Sequence, residues 1–252
     1  MRSNKMLTII KSKGLLWPAI MTIAGLAILI GLGTWQMQRL AWKQALLTDI
    51  SVRAHGEPVA LTRAEKLERA GNDVEYLRVK AEGQFLHNKE RHLFAFDSKY
   101  GAGYHVFTPL RLADDSILFV NRGIVPSELK DATKRLAGQV AGVVEIVGLV
   151  RGPQVPGMFT PENNLADNLW YWRDLDAMAA SVFATNAPPL VPFFIDAETE
   201  PRPPGSWPKG GVTRLHLPNR HLEYAVTWYG LAAALIAVFV AYAASRWRRT
   251  VG

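Results

Sequence analysis

The sequence predicts a membrane protein in which two transmembrane α-helices flank an exported, mainly-β domain, a small antiparallel barrel or sandwich with peripheral helices. Three observations predict it. Residues 14–38 and 224–245 contain no charged side chain. Every acidic residue of the chain lies between them, in residues 39–223. That central segment reads as short alternating or apolar runs separated by turn residues.

The elements follow in order. Residues 1–13 form a basic tail with Arg2, Lys5, Lys11 and Lys13. Residues 14–38 form the first span. A cleaved signal peptide is the competing reading, but its apolar part runs only ~7–15 residues and ends in small residues. Here the run ends in Trp35-Gln36-Met37-Gln38-Arg39. Trp17 and Trp35 bracket it as interfacial anchors do, and Gly31-Leu-Gly33 reads as a packing site. The second span, 224–245, has a length of roughly 33 Å at ~1.5 Å per residue, about one hydrocarbon core. Tyr224, Trp228, Tyr242 and Trp247 bracket it, and Gly230 suits close packing against another helix. Residues 246–252 form a second basic tail, with Arg246, Arg248 and Arg249.

Charge sets the orientation. The formal net charge is +7, and all of it resides in the two tails. The remaining 22 basic residues balance the 22 acidic ones. The pI of 9.7 therefore does not indicate nucleic-acid binding, which requires a basic excess on the folded domain. Short basic tails face the cytoplasm, whereas a loop as long as 39–223 translocates regardless of its charge. Both termini are thus expected in the cytoplasm and the domain in the periplasm. With only 13 residues before the first span, no Arg-rich transit peptide is expected, which favours a bacterial inner (cell) membrane. There is no cysteine, so disulfides, thiolate copper carriers, thiol oxidoreductases and covalent c-type haem attachment are excluded.

Within the domain, helix is expected to continue through residues 39–53 on a stripe of Leu40, Leu46, Leu47 and Ile50. A short helix over 62–68 would be capped by Thr62 and end near Gly71. Strands are expected over 76–82, 92–96, 104–112, 117–121 and 143–151, with turns at Gly101-Ala-Gly103 and Asp114-Asp115. Residues 174–183 read as a helix, 193–196 and 212–217 as late strands, and 201–205 as a loop.

The chemistry is sparse. No nucleophile–base set, phosphate loop or dinucleotide fingerprint is present, so no enzymatic activity is expected. His87 and His92 are five residues apart in a loop-to-strand region, an offset that puts strand side chains on opposite faces. His221 differs because of its place. Pro218-Asn219 precedes it, with Asn219 suited to an N-cap and Glu223 to the first turn of a helix. On that helix His221 shares a face with Tyr224, Ala225 and Trp228. The first span carries Trp35, Arg39 and Trp42 at i, i+4 and i+7, at the same depth. A neutral imidazole, flanking aromatics and the guanidinium groups of Arg39 and Arg220 make a plausible haem site. The same residues also suit a membrane interface without any ligand, and spacing alone does not separate the two readings.

At these residues the chain resembles the surfeit-locus-one family, assembly factors of cytochrome c oxidase. The resemblance runs through Gly33-Thr-Trp35-Gln36-x-x-Arg39-x-x-Trp42-Lys43, Thr108-Pro109-Leu110 and Val120-Asn121-Arg122-Gly123. It continues in Pro161-Glu-Asn163, Asn168-x-Trp170-x-Trp172-x-Asp174 and His221-Leu222-x-Tyr224-Ala225-x-Thr227-Trp228. Ile124 departs from it, standing where the family usually has Trp. The resemblance implies a chaperone-like role in maturing subunit I of a haem–copper oxidase. It further implies haem a received from haem A synthase as transient cargo, with His221 as axial iron ligand. A scaffold that stabilises subunit I without touching haem is the alternative.

Overall fold

The computed structural model describes residues 14–183, 188–199, 206–213, 215 and 218–248. Its contacts define two units. One comprises helix α1 (Leu16–His55) as far as Thr48 together with helix α4 (His221–Arg248), and the other is Asp49–Leu215.

In the helical unit, α1 is a single helix of 40 residues, roughly 60 Å long at ~1.5 Å per residue. It runs through the uncharged stretch and on to His55, as the stripe after Arg39 predicts. The most apolar windows of α1 and α4 are only 6% and 11% buried. A core helix of a soluble protein buries its apolar side chains. Here Trp17, Ile23, Val226 and Val238 all stand exposed. Two such helices fit a membrane protein. They run antiparallel, with Gly25 against Leu235 and Gly33 against Tyr229. A Cβ at position 33 would lie 2.6 Å from the Tyr229 ring, and Thr34 Oγ1 is 3.3 Å from the Tyr229 hydroxyl. Gly230, expected to be a contact glycine, has nothing within 4 Å of its Cβ position, and neither has Gly31. The approach is made by small residues of α1 receiving large side chains of α4.

The other unit is built on strands β1 (Val59–Ala60), β2 (Arg78–Phe85), β3 (Arg91–Asp97), β4 (Gly101–Arg111), β5 (Ile117–Pro126), β6 (Val143–Arg151) and β7 (Leu190–Thr199). Helices α2 (Leu61–Arg69) and α3 (Leu175–Phe183) accompany them. Strands β2, β6, β7, β5 and β4 pair in that order, and β4 returns to β2 through Gln84↔Arg111 and Phe85↔Leu110. The result is a closed five-stranded barrel, so the sheet keeps no long open edge in the ring. β5 and β7 run parallel, and the other ring pairs are antiparallel.

Alternation along β2 sends Val79, Ala81 and Phe85 inward, where they meet Leu110, Leu118, Val120, Ile146 and Phe193. α2 adds Leu61 and Ala64 to that core. β5 is buried along almost its whole length. Its other face, Ile117 and Phe119, packs with Trp170 and with Leu175 and Met178 of α3. This second layer explains why β5 reads as a continuous apolar run rather than an alternating one.

Several local expectations change. α2 starts at Leu61, and Ala60 precedes it with no side-chain cap, so Thr62 does not cap it. β5 extends five residues beyond Asn121 to Pro126. Its polar Asn121 and Arg122 look like a strand end but are buried and paired. Gly101-Ala-Gly103 is not a turn but the start of β4. Residues 212, 213 and 215 carry no strand. There Gly211 N–H bonds Ala197 O at 2.8 Å and Thr213 Oγ1 bonds Asp196 Oδ2 at 2.8 Å. The segment is thus tied to β7 by single bonds rather than by a ladder. The expected loop at 201–205, and residues 214 and 216–217 of the expected last strand, lie outside the described residues, as do the tails 1–13 and 249–252.

Candidate functional site

The helical unit brings part of the sequence-marked set together. Asn219 Oδ1 accepts from the His221 amide at 3.4 Å, which fixes the start of α4. Below it, His221 Nδ1 lies 2.8 Å from Gln36 Oε1 of α1. An amide oxygen only accepts, so in a neutral imidazole this contact puts the proton on Nδ1 and leaves the Nε2 lone pair for a ligand bond. This is the arrangement a metal-binding imidazole needs, since the bond to one nitrogen fixes the ring and the tautomer for the other. Lys43 Nζ, two turns beyond Gln36 along α1, donates to Pro218 O just before α4.

Arg39 lies between two aromatic rings, its guanidinium carbon 5.7 Å from the Trp35 centroid and 5.3 Å from that of Trp42. The stack orients its charge while leaving it exposed. Arg220 and Tyr224 are also exposed. Trp228, two turns along α4 from His221, has its indole Nε1 buried with no hydrogen-bond partner. A buried indole N–H without an acceptor is costly, and it marks a place where an external acceptor would be stabilised. Among the described residues no hydrogen bond or ion pair joins His221 to Arg39, Arg220, Tyr224 or Trp228. In the sequence Gln36 stands within the motif of residues 33–43 with nothing local to give it a partner. A Gln inside an otherwise apolar span is itself a signal of an interhelical bond.

The β unit holds a second cluster that the sequence did not mark. Glu90 is 5% exposed and accepts a two-pronged bond from Arg135, through Nη1 at 3.2 Å and through Nη2. Arg122, with no exposed surface, places Nη1 3.8 Å from Glu90 Oε1, and His92 Nε2 is 3.6 Å from Oε2. Burial alone would raise the Glu90 carboxyl. The bonds from His92 and Arg135 and their charges outweigh it and hold the group down to about 2. His87 also reaches this cluster, 3.2 Å from Arg122 Nη1. It does so because residues 87–89 form a 3-10 turn rather than strand, so the opposite-face expectation for His87 and His92 does not apply.

The motif residues of the β unit serve this architecture. Asn121 Nδ2 donates to Asp196 Oδ1 at 2.8 Å, and its Oδ1 accepts from the Gly123 amide at 3.1 Å. Asn168 donates to Glu90 O at 2.9 Å and accepts from the Trp170 indole at 3.1 Å. Asn163 Oδ1 accepts from the Tyr171 amide at 2.8 Å. Ile124, fully buried, exchanges both backbone bonds with Lys209. None of these groups forms a nucleophile–base pair. A cleft of about 520 Å³ borders His92, Glu128, Lys130, Asp131 and Lys134. Its lysines already donate to Asp167 O and Glu128 O.

A closed mainly-β barrel whose sequence lies between two exposed apolar helices, with one oriented histidine on the helix pair, is the class the fold defines. Comparison with known proteins gives the family. The SURF1 family model matches residues 23–233. A "SURF1-like protein" of Monosiga brevicollis is 37% identical over 90% of this chain and 87% of its own length. "Surfeit locus protein 1" of Rattus norvegicus is 40% identical over 82% of this chain and 70% of its own. The Homo sapiens protein of the same name is 40% identical over 81% and 70%. The chain belongs to the SURF1 family.

Proposed function

We propose that this protein is a non-enzymatic assembly factor for a haem–copper (cytochrome c) oxidase that holds haem a at the outer membrane interface, beside the first turn of α4 and residues 35–42 of α1, for insertion into subunit I. Both apolar helices span a bacterial inner membrane, the two basic tails stay in the cytoplasm, and the unit Asp49–Leu215 is periplasmic. Haem A synthase supplies the cargo. Membership of the SURF1 family and the two exposed apolar helices support this reading.

The observation that carries the haem part is the His221–Gln36 bond of 2.8 Å. It leaves Nε2 as the free donor for an axial iron bond. The cargo would bring an iron that accepts an imidazole and propionates that pair with guanidinium groups. Arg39, stacked between Trp35 and Trp42, and Arg220 are exposed and suited to those propionates. Tyr224 supplies an apolar face with a polar tip beside them, and Trp228 offers a buried N–H to an acceptor on the cargo. Removing Arg39 or Arg220 should weaken binding without changing the ligand field.

A purely structural histidine would make the same His221–Gln36 bond, which is the second reading. In that case the protein scaffolds subunit I without touching haem. Expression with haem A synthase, purification and an absorption spectrum decide between them. A Soret band in the purified protein supports the carrier. Colourless protein from cells that make haem A supports the scaffold.

A further inference from the structure

Residues 152–161 contain no charged side chain. At the tip of this loop Val155, Met158 and Phe159 are 92%, 92% and 94% exposed, the most exposed large apolar residues described in the chain. Such side chains are ordinarily scattered singly on a soluble surface; here three fall within five positions.

The loop is also built rather than slack. Thr160 N–H donates to Gly157 O at 3.0 Å and Gly157 N–H donates to Thr160 Oγ1 at 3.0 Å, closing a turn that displays Met158 and Phe159. Its base is fixed by Gln154, whose amide donates to Arg173 O at 2.9 Å while its Oε1 accepts from Arg173 N at 3.1 Å. Arg173 Nε also donates to Gly152 O at 3.2 Å. Pro153, Pro156 and Pro161 bring no amide N–H to be satisfied.

We propose that this loop is a membrane-docking tip that inserts Met158 and Phe159, with Val155 behind them, into the lipid interface of the bilayer that α1 and α4 span. The inference rests on the spanning role given to those helices. Lipid rather than water suits the tip for three reasons on the page. An uncharged stretch has no charge to desolvate, and the acyl boundary is likewise uncharged. The Gly157 and Thr160 donors are satisfied inside the turn, and three prolines remove others, which lowers the cost of leaving water. A domain joined at both ends of its sequence to membrane helices meets that bilayer at a high effective concentration, so a small apolar tip suffices. Interfacial apolar groups settle ~5–10 Å into the headgroup and acyl boundary.

The absence of cysteine makes the test direct. Single-cysteine variants M158C, F159C, K66C and V238C of the full chain are labelled with an environment-sensitive fluorophore and placed in phosphatidylcholine nanodiscs. Lys66 is an exposed charged residue of α2, and Val238 an exposed residue of α4. Quenching by doxyl-labelled lipid is compared with quenching by aqueous iodide. Labels at 158 and 159 should be quenched by lipid several-fold more than the label at 66 and be shielded from iodide. Labels at 158 and 159 that match 66 while 238 is quenched by lipid overturn the docking tip and leave the spans intact. Absence of lipid quenching at 238 overturns the spanning reading and the tip with it. Shielding at 158 and 159 that appears only when oxidase subunit I is added also overturns the lipid assignment and gives the loop to a protein partner.

Discussion

Replacing Glu90 by Gln keeps the shape of the side chain and removes its charge. Arg135, 5% exposed, would then lose its buried counter-charge, and Arg122, with no exposed surface, would lose the carboxylate 3.8 Å from its Nη1. Removing one partner of a buried ion pair costs about 3–5 kcal/mol. The carboxyl gives an independent figure, because its fall from 4.5 to about 2 corresponds to roughly 3 kcal/mol of stabilisation at neutral pH. At ~2–4 °C per kcal/mol for a domain of this size, the variant should melt roughly 6–20 °C lower. The pH dependence follows from the sign of the shift. A depressed carboxyl contributes fully above its unfolded value of 4.5 and loses that contribution as pH falls through about 2. The gap between wild type and E90Q should therefore be widest near neutrality and shrink with acidification below 4.5. Thermal unfolding of the full chain in nanodiscs, followed by near-UV circular dichroism across pH, measures it. A melting point unchanged at neutral pH, or a gap that stays constant into acid, would refute the reasoning.

Gly123→Glu should abolish accumulation of the protein in membranes, because φ is +115° and a Cβ there would lie 1.8 Å from Lys209 O. Normal abundance on an immunoblot would contradict this. Alkaline phosphatase fused near residue 130 should be active, and a fusion at the C-terminus should not; the opposite pattern ends the periplasmic assignment. Gln36→Leu should leave the helices inserted but free the His221 ring, lowering haem retention ~10–100-fold, read by titration. Retention equal to wild type would remove Gln36 from the site.

Much of this architecture is legible in the sequence because its cause is local. The two long apolar helices declare themselves by the absence of charge, and β6 by a run of Val and Ile between glycines. α3 begins where Asp174 Oδ1 accepts from the Ala177 amide, a cap readable one turn ahead. What escaped reading depends on distant partners. β5 looked finished at Asn121 because a buried Asn-Arg pair resembles a surface turn until Asp196 and Glu90 are brought to it. Glu90 meets Arg135 across 45 positions, and nothing local marks either as buried. The closing of β4 onto β2 is likewise a long-range pairing that distinguishes a barrel from a sandwich. At the helix pair, His221 stands out in the sequence by its place just before an uncharged run. Its partner Gln36 required knowing which faces of α1 and α4 meet.

The most direct test of the central claim is the spectrum of His221→Ala, purified beside wild type from cells making haem A synthase. One side chain at the first turn of a 28-residue helix adds little to insertion, so both proteins should reach the membrane in equal amount. The account predicts that wild type carries haem a, while the variant carries much less and shows a shifted Soret band for what remains. Wild-type haem content and an unshifted band in the variant would contradict ligation by His221.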